Sequence, residues 1–156
     1  MRSVLVTGMS GTGKSTVLAE LERRGYDVLD TDDGGWTTWS DAVGGYVWQE
    51  DRIAELLERD RAGTLFVSGT VSNQGRFYPR FDAVVLLSAP TDVLLRRIEN
   101  RTTNDYGKSA EDRDLILSHV VDVEPLLRAT STHEIDATRP VDEVVAELIA
   151  IGGEGT

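Results

Sequence analysis

No cysteine occurs in the chain. That absence excludes disulfide bonds, zinc–cysteine sites and thiol nucleophiles, and it fits a reducing compartment. Positive charge is scarce: 16 Lys and Arg stand against 27 Asp and Glu, for a net charge of −11 at pH 7. Broad contact with a phosphate backbone needs clustered cations, so no long nucleic acid is expected as a partner. No apolar run approaches the roughly 20 residues needed to cross a bilayer. Residues 1–20 carry no secretory pattern. The expectation is a cytoplasmic protein, monomeric or homodimeric, with no membrane partner. Internal repeats, linkers and low-complexity stretches are also missing. What is present is an ordinary globular composition, 40% hydrophobic and 28% charged over 156 residues, which suffices for one domain with a real core.

Lysine is rarer still, with Lys14 and Lys108 against fourteen arginines. Lys14 belongs to Gly8-Met9-Ser10-Gly11-Thr12-Gly13-Lys14-Ser15, which fits the phosphate-loop pattern G-x-x-x-x-G-K-[ST] at every specified position. The flanks fit as well. Ser3 to Thr7 is a short apolar, β-rich run, and Lys14 to Arg24 is an amphipathic helix with Val17, Leu18 and Leu21 on one side. In a strand-loop-helix setting, backbone N–H groups and the positive end of the helix surround phosphates, and the glycines permit close approach. Lys14 is then expected to reach the β/γ-phosphates and Ser15 to ligate Mg²⁺. The nucleotide-binding set runs from Gly8 to Thr16.

A second short strand, Tyr26 to Leu29, delivers the cluster Asp30-Thr31-Asp32-Asp33. Carboxylates crowded so closely repel one another unless a cation or a substrate uses them. Strand ends beside a phosphate loop are where parallel α/β sheets keep ligands. Asp30 is therefore a candidate Mg²⁺ ligand through water, Asp32 a candidate base, and Asp32 and Asp33 candidate acceptor contacts. Residues 34–62 read as an acceptor-binding insert, a polar loop carrying Trp36, Trp39 and Trp48 and then a helix to Arg61. The tryptophans either close over a ligand or pack as a satellite cluster. Trp36 and Arg52 are taken as acceptor-side candidates, although Arg52 reads equally well as an exposed ion-pairing residue. Arg76 and Arg80 flank Phe77-Tyr78-Pro79 after a third strand, Thr64 to Ser68, and could bind an anionic group.

The run Ala83 to Leu87 is the most apolar strand and belongs near the sheet centre. A helix from about Thr91 presents Arg97 and Arg101 on one side at i, i+4 spacing, and 101–110 has the composition of a lid. Ser109-Ala110-Glu111-Asp112 starts the next helix as a capping box, with Ile116, Val120 and Val123 in register and a break or bend at Pro125. His119 and His133 share no metal-binding spacing with other ligands and read as surface or core residues. A last strand, Thr132 to Ala137, precedes a helix from Pro140, and 152–156 reads as a frayed tail after a single domain spanning 1–151.

This order of elements resembles the small P-loop kinases grouped with adenylate, shikimate and gluconate kinases. Residues 8–15 match their loop, Asp30-Thr31-Asp32 is similar to the D-x-D of shikimate kinases, and Arg97-x-x-x-Arg101 is similar to the start of their lid. Asp136-Ala137-Thr138-Arg139-Pro140 resembles their adenine-side loop. The resemblance implies a three-layer α/β fold with a five-stranded parallel sheet in the order 2-3-1-4-5, ATP and Mg²⁺ as cofactors, Arg139 beside the nucleotide, and Arg97 or Arg101 on the transferring group. It extends over essentially the whole chain but leaves the acceptor open. The glycine triplet of shikimate kinases and the paired-arginine pattern of nucleoside monophosphate kinases are both missing. A carboxylate cluster suits a hydroxyl acceptor better than a phosphate one. A nucleoside monophosphate kinase and an ATPase or regulatory module without an acceptor are the alternatives; no N-K-x-D guanine motif is present.

Overall fold

Strand β1 (Arg2–Thr7) is buried along nearly its whole length and pairs in parallel on both sides. In the computed structural model, which describes residues 2–9, 11–32, 34–59, 63–100 and 109–152, it is flanked by β5 (Thr64–Ser68) and β6 (Ala83–Ser88). Beyond these lie β2 (Asp27–Asp30) and β7 (His133–Asp136), giving the order β2-β5-β1-β6-β7. This is the expected 2-3-1-4-5 order once β3 (Thr37–Ser40) and β4 (Gly45–Trp48), which form a separate antiparallel pair, are skipped in the count.

Alternation along β1 divides the core into layers. Val4 and Val6 face α1 (Lys14–Arg23) and α6 (Val141–Gly152), through Val17, Leu18, Leu21, Val144, Val145 and Leu148. Leu5 faces the opposite layer, where α2 (Glu50–Glu58) contributes Ile53, Leu56 and Leu57 and a 3₁₀ turn at Gln74–Arg80 contributes Phe77. A third cluster joins Met9 of the phosphate loop to Leu86, to Leu94 of α3 (Thr91–Asn100) and to Leu127 of α5 (Glu124–Thr130). Val120 of α4 (Ala110–Asp122) packs on it from outside. The hydroxyl of Ser109 caps α4 by accepting the Asp112 N–H at 3.1 Å. The chain breaks at Val123, and Pro125 takes the second position of α5, where a missing N–H costs nothing.

Two expectations change. The polar stretch after residue 34 contains a β-hairpin, with Trp39 directly opposite Tyr46 and their rings edge-to-face at 5.3 Å. Gly152, expected in the frayed tail, is instead the buried last residue of α6. Its carbonyl accepts the Thr64 hydroxyl at 2.8 Å, and a Cβ there would lie 2.5 Å from Val4 Cγ2. The remainder of the tail, 153–156, lies outside the described residues.

Candidate active site

All five parallel strands end at one edge, and β1 leaves that edge directly into the phosphate loop. Gly8 has φ 151°, and a Cβ there would sit 2.5 Å from the Leu87 carbonyl oxygen, so no other residue fits without displacing β6. Gly13, at φ 90° and ψ 21°, turns the chain into α1 without a side-chain cap, and no acidic residue follows in the first turn. The first N–H groups of α1 thus point their positive end at the space above the loop. The Thr12 hydroxyl donates to the Met9 carbonyl at 2.9 Å, closing the loop on itself. Lys14 Nζ donates to the carbonyl oxygens of Gly8 at 2.6 Å and Met9 at 3.2 Å.

A polar relay supports the loop from below. Thr70, just past β5, donates its hydroxyl proton to the Gly8 carbonyl at 2.7 Å. Its one proton being used there, the Thr7 hydroxyl 3.1 Å away must be the donor between the two threonines. Buried Gln74 in turn donates to Thr7 at 3.1 Å. The chain Gln74–Thr7–Thr70–Gly8 ties β1, β5 and the 3₁₀ turn to the first residue of the motif.

Beside the loop, the Ser15 hydroxyl donates to Asp30 Oδ2 at 3.0 Å, and Asp30 Oδ1 accepts the Asp32 backbone N–H at 3.1 Å. A hydroxyl and a carboxylate side by side are hard oxygen donors. They suit Mg²⁺, which completes its shell with water and phosphate oxygens and needs no all-protein cage. Among the described residues no group of three or more His, Cys, Asp or Glu could hold a metal by itself. The donor set therefore fits Mg²⁺ carried in with a nucleotide.

A cleft of about 270 Å³ opens over the loop, lined by Gly8, Met9, Lys14, Asp32, Thr70, Ile116 and His119. Lys14 and Asp32, chosen from sequence on separate grounds, share this space. Thr70, Ile116 and His119 line it as well, and none of them was a site candidate from sequence. His119 lies three residues after Ile116, so both reach the same side of α4, where Ile116 is buried and both line the cleft. Its signal was the i, i+3 spacing from a core position, which carries no chemistry of its own.

On the β6–β7 side, Arg97 Nη2 donates to the Ala137 carbonyl at 2.6 Å and Nη1 to that of Gly11 at 3.4 Å. Arg97 thus braces the phosphate loop against the loop after β7, and it does not line the cleft. Arg139 is ion-paired to Glu147 at 2.6 Å and Glu143 at 3.7 Å on α6. Asp136 accepts the Thr138 hydroxyl at 2.6 Å and its N–H at 2.9 Å. These bonds, the hydroxyl's first, hold its carboxyl below the usual aspartate range, aided by Arg139 and Arg97. Ser10, Asp33, Arg101 and Lys108 lie outside the described residues, as do positions 101–108 of the expected lid.

The acceptor-side candidates on the insert are tied to one another. The Arg52 guanidinium lies 4.1 Å from the centre of the Trp36 ring and donates to the carbonyls of Gly34 and Gly35. Arg76 pairs with Glu50 at 3.3 Å and Arg80 with Glu58 at 2.7 Å. Trp36, Arg52 and Arg76 do not line the cleft. Trp48 is 1% exposed; its indole N–H donates to Thr31 at 2.9 Å and its ring meets Phe77 edge-to-face, so it is a core residue and touches no ligand space. Trp39, at 54% exposure, stands at the outer side of the hairpin.

Comparison with known proteins agrees with this geometry. A family described as an AAA domain matches residues 4–118. A protein of Archaeoglobus fulgidus provisionally named adenylate kinase is 27% identical over 149 residues, covering 95% of this chain and 80% of its own. Shikimate kinase 2 of Yersinia enterocolitica is 26% identical, covering 96% and 95%. Among solved structures, shikimate kinase from Bacteroides thetaiotaomicron shares the fold at TM-score 0.67 and 17% identity, over 96% of this chain and 97% of that one. A gluconokinase from Sinorhizobium meliloti does so at TM-score 0.62 and 25% identity, over 96% and 90%. With the motif, the sheet order and the match over most of its length in agreement, the chain belongs to the AAA-domain family of P-loop proteins, with adenylate, shikimate and gluconate kinases as distant homologues.

Proposed function

We propose that the protein is an ATP-dependent phosphotransferase that moves the γ-phosphoryl group of MgATP to a hydroxyl of a small molecule. The observation supporting this most directly is that Lys14 and Asp32 share one cleft, with the Ser15–Asp30 pair joined to Asp32 through its backbone N–H. A site built only to hold a nucleotide needs the first and the pair. Asp32 adds a carboxylate on the open side, where an attacking hydroxyl must lose a proton.

In this proposal Lys14 exchanges the Gly8 and Met9 carbonyls for β/γ-phosphate oxygens, and the loop amides and the start of α1 neutralise the remaining charge. Ser15 and Asp30 would hold Mg²⁺, which would supply charge neutralisation at the phosphates. Asp32 orients the acceptor hydroxyl and takes its proton as the new P–O bond forms and ADP leaves. Arg97, bonded to two carbonyls, keeps the loop in place. Arg101 retains the expected role of a cation for the transition state, and Thr16 and Arg139 that of nucleotide contacts.

A second reading, a nucleoside monophosphate kinase, draws support from the Archaeoglobus fulgidus relative. Transfer of label from [γ-³²P]ATP across nucleosides, nucleoside monophosphates, sugars and sugar acids decides between them. Label appearing on a hydroxyl compound supports the first reading. Label on AMP alone supports the second, and ATP hydrolysis without any labelled acceptor overturns both.

A further inference from the structure

The side chains that lead from the 3₁₀ turn to the Gly8 carbonyl have proton positions that can be assigned from the two ends of the run. At the outer end Gln74 Oε1 accepts the Val71 N–H at 3.0 Å. A backbone N–H can only donate, so that bond fixes which way the amide faces. Its NH₂ group is then what lies 3.1 Å from Thr7 Oγ1 and 2.9 Å from the Tyr78 hydroxyl. At the inner end the Gly8 carbonyl can only accept, and it takes the Thr70 proton at 2.7 Å. Thr7, already accepting from Gln74, passes its own proton to the Thr70 oxygen 3.1 Å away. Every proton points the same way, from Gln74 toward Gly8.

Hydrogen bonds aligned head to tail polarise one another, and more so out of reach of bulk water. Gln74 and Thr7 are both buried. The Gly8 N–H is also directed at Thr70 Oγ1, at 3.3 Å, so one hydroxyl meets both the N–H and the C=O of the first motif glycine. Gly8 is the position at which the Leu87 carbonyl leaves no room for a Cβ. The loop has no side chain there to steady it, and Thr70 does so from the end of β5. Although Thr70 lines the cleft beside Lys14, its single proton is spent on Gly8, which makes its part positional and not chemical.

Resting on the reading of Gly8 to Ser15 as a nucleotide-phosphate site, we infer that Thr70 and Gln74 are positioning residues for phosphate binding. Thr70 holds Gly8 in the form that receives phosphate, and Gln74, acting through Thr7, aims the Thr70 proton at the Gly8 carbonyl. The direction of the relay matters as much as its presence: with its protons reversed, the same side chains would leave Gly8 without its hydroxyl donor.

The test is equilibrium binding of ATP with Mg²⁺, and of inorganic tripolyphosphate, to the full chain, with circular dichroism establishing that each variant is folded. Thr70→Val keeps the shape and loses the hydroxyl. It is expected to raise both dissociation constants about tenfold, the scale of one hydrogen bond, and Thr70→Ser to bring them back to within about twofold of wild type. Gln74→Glu keeps the size of the side chain and still accepts the Val71 N–H, but a carboxylate draws the Thr7 proton to itself. Thr7 then takes the Thr70 proton and Gly8 loses its donor, so the expected loss matches that of Thr70→Val. In the combined variant the two losses do not multiply, because both remove the same bond. Dissociation constants of folded Thr70→Val within about twofold of wild type overturn the positioning role, and so does a Thr70→Ser variant as weak as Thr70→Val. Losses that multiply in the combined variant overturn the part of Gln74 and assign its effect to repulsion between the new charge and phosphate. A wild-type chain that binds neither ATP nor tripolyphosphate overturns the phosphate-site reading itself.

Discussion

The phosphate loop and the insert from Gly34 to Arg59 follow two strands of the same sheet, and they are held in opposite ways. The loop is fixed by main chain: a glycine pressed against the Leu87 carbonyl, carbonyls bonded by Thr12, Lys14 and Thr70, and a helix start left uncapped. The insert is fixed by side-chain pairs: Trp48 with Thr31, Arg52 with Trp36, Arg76 with Glu50 and Trp39 with Tyr46. Main-chain presentation leaves a recurring sequence pattern, because only glycine tolerates it. Side-chain pairing allows many solutions, so residue types in the insert do not announce their partners.

Substitutions can break or sharpen this contrast. Lys14→Ala removes the cation that the proposed transfer assigns to the phosphates and should lower phosphoryl transfer by on the order of 10³-fold with the circular dichroism spectrum intact. Normal transfer by such a protein would remove the loop from the reaction. Asp32→Asn keeps size and polarity but not basicity, and a fall in kcat of roughly 10²-fold with little change in ATP affinity is expected. If ATP affinity falls instead, Asp32 belongs to the metal site.

Trp48→Phe should act on the other side of the comparison. Leaving the buried Thr31 hydroxyl without the indole donor costs about 1–3 kcal/mol in urea unfolding, while turnover per folded molecule stays at the wild-type value. A turnover loss without a stability loss would make the insert's anchor part of the chemistry. Arg76→Ala severs only a solvent-exposed pair, so the acceptor KM is expected to stay within about twofold.

The smallest effect is placed at the far end of α1. Hydrogen bonds from Arg23 and then Arg24 lower the Glu20 pKa from 4.5 to about 2. A depressed carboxyl pKa contributes stability above 4.5 that is lost as pH falls toward about 2. Glu20→Gln should therefore slightly flatten the acid limb of the stability profile and leave ATP binding alone. The effect is small because water screens the pair.

Sheet order and the place of the phosphate loop between β1 and α1 were legible because strand runs, glycine positions and helix periods are local properties. The hairpin was not. Its strands are four residues each, and the cross-strand meeting of Trp39 with Tyr46 depends on a turn at Asp41–Gly44 that the polar composition concealed. Gly152 misled because glycine commonly ends helices, whereas here the close approach of Val4 requires it. The i, i+4 spacing of Arg97 and Arg101 suggested a shared target, but the Ala137 carbonyl captures Arg97 through a tertiary contact 40 residues away. His119 enters the cleft beside Ile116, three residues earlier on α4, and that spacing from a core position names no chemistry.

The position of Lys14 on the Gly8 and Met9 carbonyls has a thermodynamic consequence. In the proposed reaction those oxygens compete with phosphate for the ammonium group that they hold here. Affinity for the nucleotide therefore reports a difference between two sets of acceptors, not the strength of one. The Thr70 hydroxyl already bonded to Gly8 keeps that carbonyl satisfied after Lys14 departs, which lowers the cost of the exchange and biases the loop toward letting its lysine go.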